Sequence, residues 1–133
     1  MLLRLYNCPM LITDIDAVYR VPIRQTLSNL NDIDVGLYVK KNRFRSHPWQ
    51  TIRAGILIYA ASGFGHRFST AVARLTMNAL VKHNADDFWF IDQNILYHVW
   101  LLARTDSWNV QIVDLEPQLP GQILFKQQFT SPL

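Results

Sequence analysis

Cysteine is almost absent from the chain: Cys8 is the only one. One thiol can neither close an intrachain disulfide nor build a cysteine metal cluster, so a reducing compartment is the simpler setting. Charge is also scarce, at 17% of residues against 50% hydrophobic. A chain of 133 residues with that balance can bury one core and has little room for two domains. The excess of positive charge is only +3, short of the dense basic field of a dedicated nucleic-acid binder but suited to an anionic ligand such as a nucleotide diphosphate. Long apolar runs are missing as well. The stretch from Ala54 to Ser62 is far below the roughly 18 to 20 residues that span a bilayer. The start, Met1-Leu2-Leu3-Arg4-Leu5-Tyr6, has no apolar segment followed by a small-residue cleavage site. These absences predict a cytoplasmic protein. Aromatic residues, by contrast, reach 12%, a globular composition.

Met10-Leu11-Ile12-Thr13 is a short apolar run that stops at Asp14, and it predicts a buried strand. Pro22 opens an expected short helix to about Leu30, broken by Asn31-Asp32, since proline is tolerated in a first turn. Val35 to Val39 and Thr51 to Ala60 predict two strands separated by a basic loop, Lys40 to Pro48. Ser62-Gly63-Phe64-Gly65 predicts a turn before a helix from His66 to about Lys82, with Phe68, Val72, Leu75, Ala79 and Leu80 on its buried face. Asp86 or Asp87 caps a further helix to about Arg104, its inner face marked by Phe88, Ile91, Ile95, Leu96, Val99 and Leu102. Val110 to Val113 and Gln122 to Phe125 are expected strands around a Pro117/Pro120-Gly121 turn. The order β-α-β-β-α-α-β-β predicts an α/β domain with a mixed sheet and flanking helices.

Asp-Ile-Asp occurs twice, at 14–16 and at 32–34, in a chain with nine Asp. Position separates the copies. The first follows an apolar strand, so its carboxylates fall at the strand's C-terminal end, where open α/β sheets bind ligands. The second precedes its strand and belongs at the opposite end. Residues i and i+2 of an extended backbone point the same way, so Asp14 and Asp16 can converge on one hard cation, Mn²⁺ or Mg²⁺, held by one or two carboxylates together with substrate phosphates. The competing reading makes both of them turn-forming, helix-capping aspartates. The spacing alone does not separate the two.

Three segments in order carry a resemblance. PMLITDIDAVYRVPI (Pro9 to Ile23) resembles the metal-binding strand and turn of glycosyltransferases of the GT-A fold. TIRAGILIY (Thr51 to Tyr59) resembles their central strand with a small residue and Gly before an apolar run. FIDQNILY (Phe90 to Tyr97) resembles their Asp-Gln motif opening a helix. The resemblance covers about residues 9 to 100. It implies a truncated GT-A domain spanning 1–133, a nucleotide-diphospho-sugar transferase-like fold lacking the N-terminal half that binds the nucleotide base. It also implies transfer of a hexose from a nucleotide-sugar donor to a saccharide or other hydroxyl acceptor. Asp16 would bind the metal, and Asp14 the metal or the ribose. Ala54 and Gly55 would let the donor sugar approach the backbone. Asp92 would accept hydrogen bonds from donor-sugar hydroxyls, and Gln93 would lie near the anomeric carbon.

The sequence departs from that family in three places. Few residues precede the carboxylate strand, so a strand normally central would become an edge, to be covered by a second copy or by a chain supplying the missing half. Arg53 stands where relatives often carry Asn, and is read as a phosphate contact or a solvent-facing side chain. No His follows Arg104 to act as a late metal ligand. Two other functions compete. A non-catalytic relic would keep the sheet as an interaction module. A nucleic-acid-binding domain, less favoured and with no nucleic acid expected, would use Lys40, Lys41, Arg43 and Arg45 with Phe44, His47 and Trp49, a cluster more simply read as a solvated loop. His66, His83 and His98 lack zinc-ligand spacing. Cys8 reads as a packing residue, and Trp89, Trp100 and Trp108 as core anchors.

Overall fold

A computed structural model describes residues 5, 7–14, 17–19, 22, 32–40, 50–82, 91–106, 108–115, 117 and 123–125. Strands β1 (Met10–Thr13), β2 (Ala17–Tyr19), β3 (Val35–Val39) and β4 (Ile52–Tyr59) precede helices α1 (Gly63–Lys82) and α2 (Ile91–Thr105), which are followed by β5 (Ile112–Asp114) and β6 (Ile123–Phe125). The main sheet has the order β1-β4-β3-β5, and β2 pairs with β6 in a separate two-stranded sheet. β4 runs antiparallel to both β1 and β3, and β5 runs parallel to β3. The mixed sheet read from the residues is therefore present. β2, Ala17–Tyr19, has no counterpart in the sequence reading. The helix expected after Pro22 and the Asp86/Asp87 cap lie outside the described residues.

Alternation along the strands sorts the sheet's two faces. Val35, Leu37 and Val39 from β3, with Ile52, Leu57 and Tyr59 from β4, join Phe68 of α1 and Ile95, Leu96, Val99, Trp100 and Ala103 of α2 in one core. On the reverse face Ile56, Ile58 and Leu115 are buried as well. Gly36 packs tightly there: a Cβ would lie 3.1 Å from both Ile58 Cβ and Leu115 Cδ2. The long apolar run of β4 thus buries both faces of a central strand.

Both helices depart from the face assigned to them. In α1 Phe68 is fully buried and Val72 and Ala79 pack against the core, whereas Leu75 and Leu80 are exposed, as are Met77 and Val81 at 60% and 81%. The stripe marked by the spacing is thus buried only in part. In α2 Leu102 is 44% exposed while Trp100 and Ala103 are buried. At 3.6 residues per turn Leu102 lies about 90° from the centre of the stripe formed by Ile95, Leu96, Val99, Trp100 and Ala103.

The expected turn at 62–65 is instead the start of α1. Ser62 is the N-cap: its Oγ accepts from Gly65 N–H at 2.9 Å, and its carbonyl accepts from His66 N–H at 2.9 Å. Glycines at 63 and 65 suggested a turn, but Gly65 serves close packing, since a Cβ there would sit 2.3 Å from the Ala60 carbonyl oxygen. Cys8 is exposed rather than packed. No helix among the described residues is long and apolar enough to cross a membrane.

Candidate functional site

The antiparallel pairing of β1 with β4 runs from Met10 opposite Tyr59 to Thr13 opposite Ile56. One more bond, Asp14 N–H to the Gly55 carbonyl at 3.1 Å, carries it past the strand's end. Asp14 is exposed there. Among the described residues β1 is an edge of the sheet, so its carboxylate-bearing end meets solvent beside the central strand. Asp16 lies outside the described residues.

β4 is irregular at that point. Leu37 of β3 pairs with Leu57, but the next residue, Tyr38, pairs with Arg53. Ala54, Gly55 and Ile56 therefore have no counterpart on β3, a bulge that frees their backbone from that ladder. Bulges of this kind recur next to active sites, where they re-aim backbone and side chains. Two of the three segments singled out in the sequence, the Asp14 strand end and the Ala54-Gly55 pair, are thereby neighbours in space. Ala54 is half-buried against the helix-side core and Gly55 is buried. Arg53 places its guanidinium carbon 5.6 Å from the centre of the Tyr38 ring, a cation–π contact with its cross-strand partner.

Asp92 and Gln93 occupy the first turn of α2, where Gln93 N–H donates to Asp92 Oδ1 at 2.7 Å. A carboxylate in that turn is favoured by the helix dipole. The far end of α2 is anchored near β5: Trp108 N–H donates to the Ala103 carbonyl at 3.1 Å. Gln111 N–H then reaches Asp34 Oδ2 at 2.8 Å. Asp92 stands 11 residues before Ala103, or about 16 Å along the helix axis at 1.5 Å per residue. Its turn therefore points away from the Asp34 end. Asp92 is seven and eleven residues before Val99 and Ala103 and so in line with their stripe, but it lies at the helix start and is exposed.

The second Asp-Ile-Asp copy has a different part. Asp34 is only 9% exposed. Its Oδ1 accepts from the Ser62 hydroxyl and its Oδ2 from Gln111 N–H, while its own N–H and carbonyl bond Gln111 O and Ala60 N–H at 3.0 and 2.9 Å. One carboxylate thus ties together the start of β3, the cap of α1 and the approach to β5. Because β1 and β3 both run antiparallel to β4, Asp14 at the end of one and Asp34 at the head of the other lie toward opposite ends of the sheet, as the chain order implied. The sequence signal for this role was present, a Ser-x-x-Gly cap following a strand, but nothing local tied it to Asp34, 28 residues earlier.

Among the described residues no three of His, Cys, Asp and Glu come together as a ready metal cage. Residues 41–49 of the basic loop lie outside the described set, while Lys40 N–H donates to the Thr51 carbonyl at 2.6 Å. No family model matches the sequence, and no curated protein matches it.

Proposed function

We propose that the chain is, or belongs to, a metal-dependent glycosyltransferase that moves a hexose from a nucleotide-sugar donor to a hydroxyl acceptor. The observation that carries this reading is the Asp14 strand end hydrogen-bonded to Gly55 within a bulge of β4. It joins a solvent-facing carboxylate to a stretch of backbone that a sugar can approach closely. The donor set fits a hard divalent ion: an exposed carboxylate at an open strand end, with Asp16 as the second ligand. Such ions are commonly held by one or two carboxylates with substrate phosphates. When bound, Mn²⁺ or Mg²⁺ supplies Lewis-acid neutralisation of the departing diphosphate. The chain's own residues then position the sugar. Ala54 and Gly55 set its distance from the sheet, Asp92 accepts from its hydroxyls, and Gln93 borders the carbon that the acceptor attacks. Arg53, held over Tyr38, lies next to the pair as a phosphate contact.

Calorimetry with Mn²⁺ and UDP tests the reading. Wild type is expected to bind UDP only with the metal, and Asp14→Ala and Asp16→Ala are each expected to weaken that binding at least about tenfold. A wild type that binds neither UDP nor Mn²⁺ sinks it. One observation favours a second reading, a non-catalytic interaction module: the exposed apolar side chains of α1, Met77, Leu80 and Val81, form the kind of patch that marks a protein partner. That module would bind no UDP and would associate with itself or another chain in sedimentation.

A further inference from the structure

Two cavities adjoin across Trp108, at the Asp34 end of the sheet and away from Asp14. The larger, about 490 Å³, is lined by Trp100, Ala103, Arg104, Trp108 and the Val110–Ile112 segment. The smaller, about 360 Å³, is lined by Gly63, His66, Arg67, Thr70, Arg74 and Trp108. Among the described residues neither lining contains an acidic one. The Arg67 guanidinium lies 4.2 Å from the centre of the Trp108 ring, and that of Arg104 lies 4.9 Å from the Trp100 ring. A guanidinium stacked on an indole is held flat with its N–H edges still directed outward, the arrangement that recognises phosphate.

His66 and Thr70, which line the smaller cavity, each carry a polar atom sealed from solvent. His66 Nδ1 and Thr70 Oγ1 are both buried and neither makes a hydrogen bond. Leaving such groups unsatisfied costs roughly 1 to 3 kcal/mol each. Arg67, Thr70 and Arg74 follow the spacing i, i+3, i+7, which puts them on one face of α1. The two arginine Cα atoms are about 10 Å apart along the axis with Thr70 between them, so both long side chains can close on one anion above the threonine.

We propose that this double cavity binds an organic phosphate. The phosphate sits between Arg67 and Arg74, and rotation of the Thr70 and His66 side chains from their sealed positions brings them into its shell. The flat or apolar body lies against Trp108 and Trp100 in the larger cavity, whose volume falls in the ordinary range for small-molecule sites. The site is separate from the Asp14–Gly55 end and does not depend on the transferase reading. Free nucleotides and the phosphomonoester headgroup of phosphatidic acid present the same chemistry.

The test titrates the full chain with inorganic phosphate, with AMP, and with phosphatidylcholine vesicles that do or do not carry phosphatidic acid. Binding of AMP more tightly than inorganic phosphate assigns a free ligand. Binding only to vesicles carrying phosphatidic acid assigns a headgroup. In either case Arg74→Ala is expected to weaken binding about tenfold and Thr70→Val about fivefold, while Lys82→Ala, at the far end of α1, leaves it unchanged. Arg74 is exposed and in no described ion pair, so its loss reads binding rather than folding. Failure of all three probes at millimolar concentration overturns the proposal. So does binding that Arg74→Ala leaves intact.

Discussion

Replacing Asp34 by Ala should destabilise the protein, although Asp34 belongs to the same Asp-Ile-Asp tripeptide as the exposed Asp14, closing the second copy where Asp14 opens the first. The carboxylate of Asp34 accepts two hydrogen bonds, from the Ser62 hydroxyl and from Gln111 N–H at 2.8 Å. Bonds to a charged acceptor contribute about 1.5 to 3 kcal/mol each. Both donors are partly buried, and water admitted to the cavity recovers some of that loss, so the lower end applies and Asp34→Ala is expected to cost about 3 kcal/mol. For a domain whose whole stability is typically 5 to 15 kcal/mol, this lowers Tm by roughly 10 °C. Asp34→Asn keeps one acceptor and should cost about half as much. Ser62→Ala removes both a donor to Asp34 and the cap of α1, and should cost about 1 to 2 kcal/mol. Because the two residues share one bond, their double variant should fall short of additivity by about 1 kcal/mol. Urea denaturation of the four proteins reads all of this. A loss below 1 kcal/mol for Asp34→Ala, or strict additivity with Ser62→Ala, would refute the junction. Asp14→Asn supplies the contrast: its backbone bond to Gly55 survives the change, and the loss expected is in metal-dependent UDP binding.

Gly65→Ala forces a Cβ to 2.3 Å from Ala60 O and 3.0 Å from Asp34 O, both backbone atoms. It should destabilise by about 3 kcal/mol in thermal melts, and an unchanged Tm would show that the Asp34 turn yields easily. Burial pushes the Tyr59 phenol up from 10.0 to about 12. Between those values the unfolded chain gives up this proton and the folded chain keeps it, so stability falls as pH rises from about 10 and levels off near 12. The loss is about 1.4 kcal/mol per unit of separation, or somewhat under 3 kcal/mol in all. Urea midpoints across that range should drop more steeply for wild type than for Tyr59→Phe, and parallel curves would contradict the burial argument.

What could be read from the residues follows the range of the forces involved. β1, β3, β4 and the body of both helices were legible because hydrophobic period is local: four to eight consecutive residues suffice to mark a strand, and a stripe of Phe68 and Val72 to mark a helix. The end of α1 was not, since the exposure of Met77 and Val81 depends on which elements come to lie beside them. The start of α1 was misread for a related reason. Gly63 and Gly65 look like turn residues until Ala60 and Asp34 are seen to press on Gly65 from the preceding segments. The bulge at Ala54–Ile56 was invisible for the same reason, since it exists only in how β4 pairs with Leu37 and Tyr38 of another strand.

The two Asp-Ile-Asp copies show how far position can substitute for coordinates. Chain order alone put Asp14 after a strand and Asp34 before one, and the antiparallel central strand converts that order into opposite ends of the sheet. It could not tell that Asp34 would be buried and bonded on both oxygens, because its partners Ser62 and Gln111 are 28 and 77 residues away. A carboxylate whose lone pairs are already taken by an N–H and a hydroxyl is a poor metal ligand. Asp14, exposed at an edge strand's end beside a bulge, is the more accessible of the two. Burial of Asp34 thus sets aside one of the two places where the tripeptide occurs, and the metal-dependent transfer proposed above is to be tested at the Asp14–Gly55 end.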